Sequence, residues 1–234
     1  MVAVFGLLLR TLLSRGRVAA LLGVGIVGVL LALAVGSSSQ PDRVDEAFGL
    51  VDGFGLGLIV PVTALVFASS AFGDMVDDAT LVYLWLRPIA RWRLAAAALA
   101  ASVCVAVPFA LVPAVVAAAV ARGDDQLPLA MLAAGSVATA AYCTLFLGLG
   151  LVARRALVWG LAYVLIWEGF VARSGTAAAR LSILVYARSL LASLADHDAP
   201  RLASSVPVAI VVPLAVGAVA IALTSLALRR VDVK

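Results

Sequence analysis

Long apolar runs dominate this sequence and limit what it can fold into. At 1.5 Å per residue, a helix of about 20 apolar residues crosses the roughly 30 Å hydrocarbon core of a bilayer. Runs of about this length cover residues 18–35, 54–72, 94–120, 129–152, 156–172 and 206–228. The chain is 65% hydrophobic and 13% charged, whereas a soluble domain is typically about 45–50% apolar and 25% charged. The sequence therefore predicts an all-α polytopic membrane protein, with six transmembrane helices in a single domain, residues 1–234.

Residues 2–17 precede the first span and carry too many bases to form a span themselves. On a helical wheel Arg10 and Arg17 share one face, and the leucines at 8, 9, 12 and 13 lie largely away from it. This pattern is typical of an amphipathic helix in the membrane interface, with Arg10, Arg15 and Arg17 toward the headgroups. A simple basic flank of the first span is the alternative. Residues 37–52, between the first two spans, are predicted to form a loop.

The stretch from Gly73 to Arg93, GDMVDDATLVYLWLRPIARWR, separates the second and third spans. Its charged side chains are Asp74, Asp77, Asp78, Arg87, Arg91 and Arg93. A charge at the centre of a bilayer costs about 2.5–3.5 kcal/mol, whereas each Leu, Ile or Val contributes only about 0.3–0.6 kcal/mol in favour of insertion. The stretch therefore cannot cross the membrane, and it is predicted to be an aqueous or interfacial element.

The arginines predict the orientation of the spans, because short cytoplasmic loops are enriched in Arg and Lys. With the N-terminus inside, the cytoplasmic side receives Arg10, Arg15, Arg17, Arg87, Arg91, Arg93, Arg154, Arg155, Arg229, Arg230 and Lys234. The other side receives Arg43, Arg122 and the arginines of residues 173–204. Both termini and the 73–93 stretch are therefore predicted to be cytoplasmic, in a multi-pass protein of the cytoplasmic membrane.

Several kinds of chemistry lack the residues that they require. The one lysine is Lys234, so no phosphate-binding GxxxxGK[ST] loop exists. The one histidine is His197, which argues against a histidine-bearing metal cluster or an intramembrane Ser–His pair. Cys104 and Cys143 lie in apolar runs without CxxC spacing and are expected to be buried free thiols. The bases lie at the ends of apolar runs, which disfavours nucleic-acid binding. We therefore expect no enzyme activity, no metal site and no cofactor bound by this chain.

Glu168 is the one ionisable residue at membrane depth, near the end of the fifth predicted span. A carboxylate there is costly and usually faces a cavity, a partner or water. It is either a residue of the outer interface, near Trp167 and Arg173, or a polar group that lines or gates an exit path. Residues 173–204, which follow, are half apolar but carry charges, and they are predicted to form short re-entrant or interfacial helices.

Gly49, Gly53 and Gly57 repeat every four residues near the start of the second span. Small residues at this spacing permit close helix approach. Packing within the subunit and contact with a second subunit both remain open.

The layout resembles that of the permease subunits of ABC-2 type (type V) ABC exporters, which have six spans, cytoplasmic ends, an amphipathic N-terminal helix and a charged cytoplasmic element between spans two and three. The closest local match is LVYLWLRPIARWRL, with its preceding threonine. The matching positions are Thr80, Leu81, Leu84, Arg87, Pro88 and Arg91. The YVLIWEGF segment and the later LSI are also similar to these permeases. Asp77 and Asp78 stand where the family often has Glu.

This resemblance implies that the 73–93 stretch contains a coupling helix, Asp77 to Arg87. A separate ATPase, which binds ATP and Mg²⁺, would dock against it and against the N-terminal helix. The face presented to the ATPase would contain Asp77, Thr80, Leu84 and Arg87, with Asp78 beside it. Arg87 and Arg91 would form charge-assisted bonds to acidic groups, and Pro88 would end the helix. An amphipathic helix anchored to lipid headgroups by its arginines is the alternative.

The expected function is therefore that of the membrane-spanning permease subunit of an ATP-driven exporter, with a second permease subunit completing the path. Spans rich in Ala, Val, Leu and Gly favour an amphipathic or lipid-like substrate. The alternative is a non-transporting membrane anchor, assembly or force-transmitting subunit that recruits a cytoplasmic ATPase.

Overall fold

A computed structural model describes residues 2–37, 42–77, 90–173, 176–197 and 205–230. Across these ranges the chain forms helices and connecting turns and no β-strand. The helices, in chain order, are α1 (Val2–Leu12), α2 (Arg15–Ser37), α3 (Arg43–Leu50), the π-helix π1 (Val51–Ile59), α4 (Val60–Asp77), α5 (Arg91–Val120), α6 (Leu127–Val152), α7 (Ala156–Ala162), the π-helix π2 (Tyr163–Glu168), a 3₁₀ turn (Val171–Arg173), α8 (Thr176–Ala179), α9 (Ile183–Leu194) and α10 (Val206–Arg230). The all-α prediction is confirmed.

Five helices are long and apolar enough to cross a membrane: Arg15–Ser37, Arg43–Met75, Arg91–Val120, Leu127–Val152 and Val206–Leu228. They coincide with five of the six predicted spans and confirm the multi-pass character of the chain. The second begins earlier than predicted, because residues 43–50 form a helix that continues through π1 into α4. The loop predicted for residues 37–52 was therefore wrong from Arg43 onward.

The fifth predicted span, residues 156–172, is not confirmed as a full crossing. Its helical part, Ala156–Glu168, consists of α7 with 7 residues and π2 with 6 residues. That is about 20 Å at the α-helical rise, well short of a 30 Å hydrocarbon core. The chain then breaks and resumes as α9, which has 12 residues and buries its apolar face against α6 and α10. The short helices predicted after the fifth span exist, and α9 packs inside the bundle.

The contacts between helices fix their relative directions. Gly25 of α2 lies against Pro113 and Gly36 against Val120, so α2 and α5 run parallel. Gly55 lies near Met131 and Gly150 against Ser69, so the π1–α4 helix runs parallel to α6. The latter pair points opposite to α2 and α5, because the short turn 121–126 joins α5 to α6 and Leu111, nine residues before the end of α5, packs on Gly135, eight residues after the start of α6. The starts of α2 and α5 and the ends of α4 and α6 therefore share one end of the bundle.

The N-terminal segment forms the predicted helix, α1, and contacts α5 and α4. Leu8 and Leu12 are buried in the core, so part of its leucine face packs on protein. The chain then turns, and Arg15 and Arg17 belong to the first turns of α2 rather than to the N-terminal helix. The side chain of Arg10 lies outside the described residues, and the interfacial location of α1 stays a prediction.

Close packing of α4 on α6 depends on Gly150. A methyl group at this position would overlap the backbone of Ser69. We expect Gly150→Ala to destabilise the protein by about 1–3 kcal/mol, as overpacking of a tight core does. The control is Gly23→Ala in α2, where a methyl group would meet no atom of the described residues within 4 Å. Thermal unfolding in detergent would compare the two variants, and equal melting temperatures would contradict this view of the α4–α6 contact.

Candidate functional site

The predicted coupling element lies at the end of the bundle where α4 stops and α5 starts. Asp78, Thr80, Leu84, Arg87 and Pro88 lie outside the described residues. Asp77 is the last residue of α4, and only its backbone is described. Arg91 is the first residue of α5. The structure thus places both flanks of the element and leaves its own conformation as a prediction.

The same end collects bases from separate parts of the sequence, namely Arg15, Arg17, Arg91, Arg154 and Arg155, and we call it the basic end. Arg15 and Arg17 lie at the start of α2, Arg91 at the start of α5, and Arg154 and Arg155 in the α6–α7 turn. Since their helices alternate in direction, the fold brings these residues together although the sequence separates them.

An ion pair connects two of the predicted elements at the basic end. The guanidinium of Arg17 donates a hydrogen bond of 2.9 Å to the carboxylate of Asp74. This contact ties the start of the first span to the last turns of α4, three residues before Asp77. The sequence identified both charges, but it gave no signal for their pairing, because 57 positions separate them.

A pocket of about 270 Å³ opens beside this ion pair. Its lining includes Arg17 and Asp74, and also Arg154 and Arg155 from the α6–α7 turn. Both residues of the turn are exposed. Within the described ranges, no carboxylate lies within salt-bridge distance of either one. The pocket therefore carries three positive charges against one negative charge.

Glu168 is the centre of a second, buried polar cluster, and only 2% of it is exposed. Its Oε1 atom accepts hydrogen bonds from the Tyr142 hydroxyl at 3.1 Å, the Tyr163 hydroxyl at 2.9 Å and the Ile183 backbone N–H at 3.2 Å. Its Oε2 atom accepts a short hydrogen bond from the Ser182 hydroxyl. Each of these bonds joins Glu168 to the protein interior, so the carboxylate is buried within the chain. The side chain of Arg173 lies outside the described residues, and the choice between a residue of the outer interface and a group of an exit path stays a prediction.

These bonds hold together the two halves of a broken helical segment. Glu168 is the last residue of π2, and Ile183 is the first residue of α9, so the carboxylate lies at the N-terminus of α9. Ser182 caps this terminus as well, since its side chain accepts a hydrogen bond from the Val185 N–H at 3.2 Å. A carboxylate and a serine both stabilise the unpaired N–H groups at a helix start. Tyr142 lies near the middle of α6, and the break is therefore at mid-depth in the bundle.

A second polar contact attaches α9 to the bundle. Arg188 donates a 2.6 Å hydrogen bond from Nε to the Asp52 carboxylate in π1, and both side chains are about one-fifth exposed. Sequence analysis placed Asp52 in a loop. It did not predict the pairing with Arg188, because 136 positions separate the two residues. Asp52 and Glu168 each lie in a π-helix, a form that is rare and often found at functional sites.

The Asp52–Arg188 pair should be energetically coupled. In a double-mutant cycle with Asp52→Ala and Arg188→Ala, we expect a coupling energy of about 1–2 kcal/mol, within the range measured for contacting residues. The more exposed Arg17–Asp74 pair is the matched comparison and should give less than about 1 kcal/mol. Unfolding in mixed micelles would supply the free energies. Equal coupling in the two cycles would contradict a special role for the α9 attachment.

Among the described residues, the glycines at 49, 53 and 57 do not form a packing stripe. A methyl group on Gly49 or Gly53 would meet no described atom within 4 Å, whereas one on Gly57 would lie near Asp52 and Arg188. Packing against the described part of the subunit therefore does not account for Gly49 and Gly53. A contact with a second subunit stays a prediction.

His197 lies at the end opposite to the basic end. Its ring stacks on Phe48 with 4.0 Å between centroids, and its Nε2 atom lies 3.7 Å from the Asp45 carboxylate. The structural role of this histidine is to join the end of α9 to α3. Cys143 is buried, as predicted. Cys104 is exposed on the surface of α5, so the prediction that it is buried was wrong.

Two comparisons of the sequence with known proteins identified no relative. No family model matches the chain, and no curated protein matches it significantly.

Proposed function

We propose that this protein is the membrane-spanning permease subunit of an ATP-driven exporter, with a separate cytoplasmic ATPase bound at the basic end. The observation that supports it best is the convergence of charge at that end. The fold brings α1, the Arg17–Asp74 pair, the end of α4 at Asp77 and the start of α5 at Arg91 to one surface. This surface carries both flanks of the 78–89 segment, in which most of the family-like motif lies.

The proposal also explains how a chain without a nucleotide-binding loop obtains energy. An ATPase docked on the coupling element would push on α4 and α5, which continue from it directly into the bundle. Because Arg17 is bonded to Asp74, a displacement of α4 would also be felt by α2. A displacement of the coupling element would thus reach α4 and α5 through the chain itself, and α2 through the Arg17–Asp74 ion pair.

The break in the helical segment between Glu168 and Ile183 is consistent with a substrate path beside it, at about half the depth of the bundle. Irregular backbone at membrane depth is tolerated only where it is buried in protein or lines a water-filled cavity. Phe170 and Leu181, between π2 and α9, are 78% and 71% exposed in the single chain. In the proposed assembly a second permease subunit or a substrate path borders this loop. The apolar helices around it favour an amphipathic or lipid-like substrate.

Affinity purification of the tagged protein from its native membrane tests the proposal. We expect a cytoplasmic ATPase in roughly equal amount, together with a second permease chain. If no ATPase is recovered under mild detergent, the proposal is wrong. An ATPase that co-purifies but whose hydrolysis drives no transport in vesicles would instead support a non-transporting anchor or force-transmitting subunit.

A further inference from the structure

We infer that the pocket at the basic end binds the phosphate headgroup of an anionic membrane phospholipid. The pocket lies between the start of α2, the end of α4 and the α6–α7 turn, where spans meet the membrane surface. Its charged lining residues are Arg17, Asp74, Arg154 and Arg155. The inference concerns this chain and the bilayer, and it does not depend on the proposed ATPase.

The charges of the pocket match a phosphate ester. Arg154 and Arg155 are exposed residues. In the described contact with Asp74, Arg17 donates one of the five N–H groups that a guanidinium carries. Arginine is well suited to phosphate, because its planar group can donate two parallel hydrogen bonds. With a volume of about 270 Å³, the pocket holds a phosphate group and several waters, since one water occupies about 30 Å³.

The walls of the pocket favour a lipid over a free anion or an acidic protein segment. Leu157 and Val158 belong to its lining, and they are 50% and 62% exposed. They lie on α7, which runs from this end into the bundle beside α4, since Gly160 packs on Leu65. Apolar side chains directly below a cluster of arginines match the order of an acyl chain below its headgroup. A soluble anion or an aqueous peptide would gain nothing from them.

Native mass spectrometry of the full-length protein in detergent tests this assignment, with phosphatidylglycerol and zwitterionic phosphatidylcholine as probes. We expect phosphatidylglycerol to bind at least about fivefold more tightly, since each base near an anionic surface contributes about 1 kcal/mol. The variant R154Q/R155Q should lose about tenfold or more of this affinity. The matched control R122Q/R180Q removes two exposed arginines away from the pocket and should keep it.

A variant with the opposite expected sign makes the test independent of folding losses. Asp74→Asn removes the one negative charge of the pocket and should tighten phosphatidylglycerol binding by about fivefold. Equal binding by R154Q/R155Q and R122Q/R180Q would overturn the inference. Displacement of the lipid by excess inorganic phosphate would assign the pocket to free phosphate instead. Unchanged lipid binding with loss of a co-purifying ATPase in R154Q/R155Q would assign it to protein docking.

Discussion

Replacing Glu168 with alanine is expected to lower the free energy of unfolding by about 3 kcal/mol or more. The substitution removes the acceptor for two tyrosine hydroxyls, one serine hydroxyl and the N–H group of Ile183. Each buried donor left without a partner costs about 1–3 kcal/mol. The hydroxyls of Tyr142 and Tyr163 can rotate toward other acceptors, but the backbone N–H of Ile183 cannot.

Unfolding in mixed micelles, followed by tryptophan fluorescence, would measure this loss. Glu46→Ala is the matched control, because Glu46 is the other glutamate of the chain and is exposed on α3. It should cost no more than about 1 kcal/mol. If Glu168→Ala and Glu46→Ala unfold at the same denaturant concentration, the Glu168 cluster does not hold the bundle together.

The free energy of unfolding of Glu168→Gln should lie between those of the wild type and Glu168→Ala. The amide keeps an oxygen for Tyr142, Tyr163 and Ile183, but it presents N–H donors to Ser182, whose own hydroxyl then loses its acceptor. One unsatisfied hydroxyl corresponds to about 1 kcal/mol. The order wild type, Glu168→Gln, Glu168→Ala would identify hydrogen bonding, rather than side-chain volume, as the source of the stability.

If the proposed ATPase docks on the coupling element, reversing the charge of Asp77 or Arg87 is expected to reduce the ATP hydrolysis stimulated by this protein by about tenfold or more. Loss of one charge-assisted hydrogen bond costs about 1.5–3 kcal/mol, and 1.4 kcal/mol is already tenfold in a binding constant. Asp77→Arg and Arg87→Glu would be reconstituted with the co-purified ATPase, and hydrolysis and transport would be measured together.

The matched controls reverse one acidic and one basic residue elsewhere, Glu46→Arg and Arg180→Glu, which are both exposed. They should leave hydrolysis unchanged. Full stimulation and coupled transport in both Asp77→Arg and Arg87→Glu would refute the coupling role, provided that the variants assemble in the membrane. A loss in the controls as well would point to a general electrostatic effect.

The spans were predictable because their signal is local. About twenty consecutive apolar residues favour a membrane helix wherever they occur in a chain. The first span was predicted to begin at residue 18, but helix α2 begins at Arg15. Its first turns include Arg17, whose positive charge is paired with the carboxylate of Asp74. Hydropathy measures single residues and does not register such a pair.

The break in the fifth segment was not predictable from composition. The run from Ala156 to Phe170 is apolar apart from Glu168, and it contains no proline. The π-helix ends at Glu168, whose carboxylate accepts a hydrogen bond from Tyr142, 26 positions earlier in the sequence. Sequence analysis therefore identified Glu168 as unusual from its cost in a bilayer, but its partners are a property of the tertiary fold.

Asp52 shows the same limit for an ion pair. It follows a stretch with Asp45 and Glu46 and is flanked by glycines, a composition typical of a loop, but the chain is helical here, first as α3 and then as π1. The pairing with Arg188 becomes visible only when α9 is placed beside π1. Of the predicted coupling residues, Arg91 alone has a described side chain, so the chemistry of that element rests on the family resemblance.

The broken fifth segment has a mechanical consequence. An unbroken helix such as α6 transmits a displacement along its axis as a rod, from one end of the bundle to the other. Between Ala156 and Leu194 the two longest helical pieces that the structure describes are Ala156–Glu168 and α9. Because the chain breaks between them, a displacement of the first is not carried along a single axis into the second. Hydrogen bonds from Ser182 and Ile183 to Glu168 hold the start of α9, and a bond from Arg188 to Asp52 holds its middle. Such bonds weaken steeply when their geometry is distorted. We therefore expect the half of the bundle opposite the basic end to loosen by breaking a few specific bonds rather than by gradual bending.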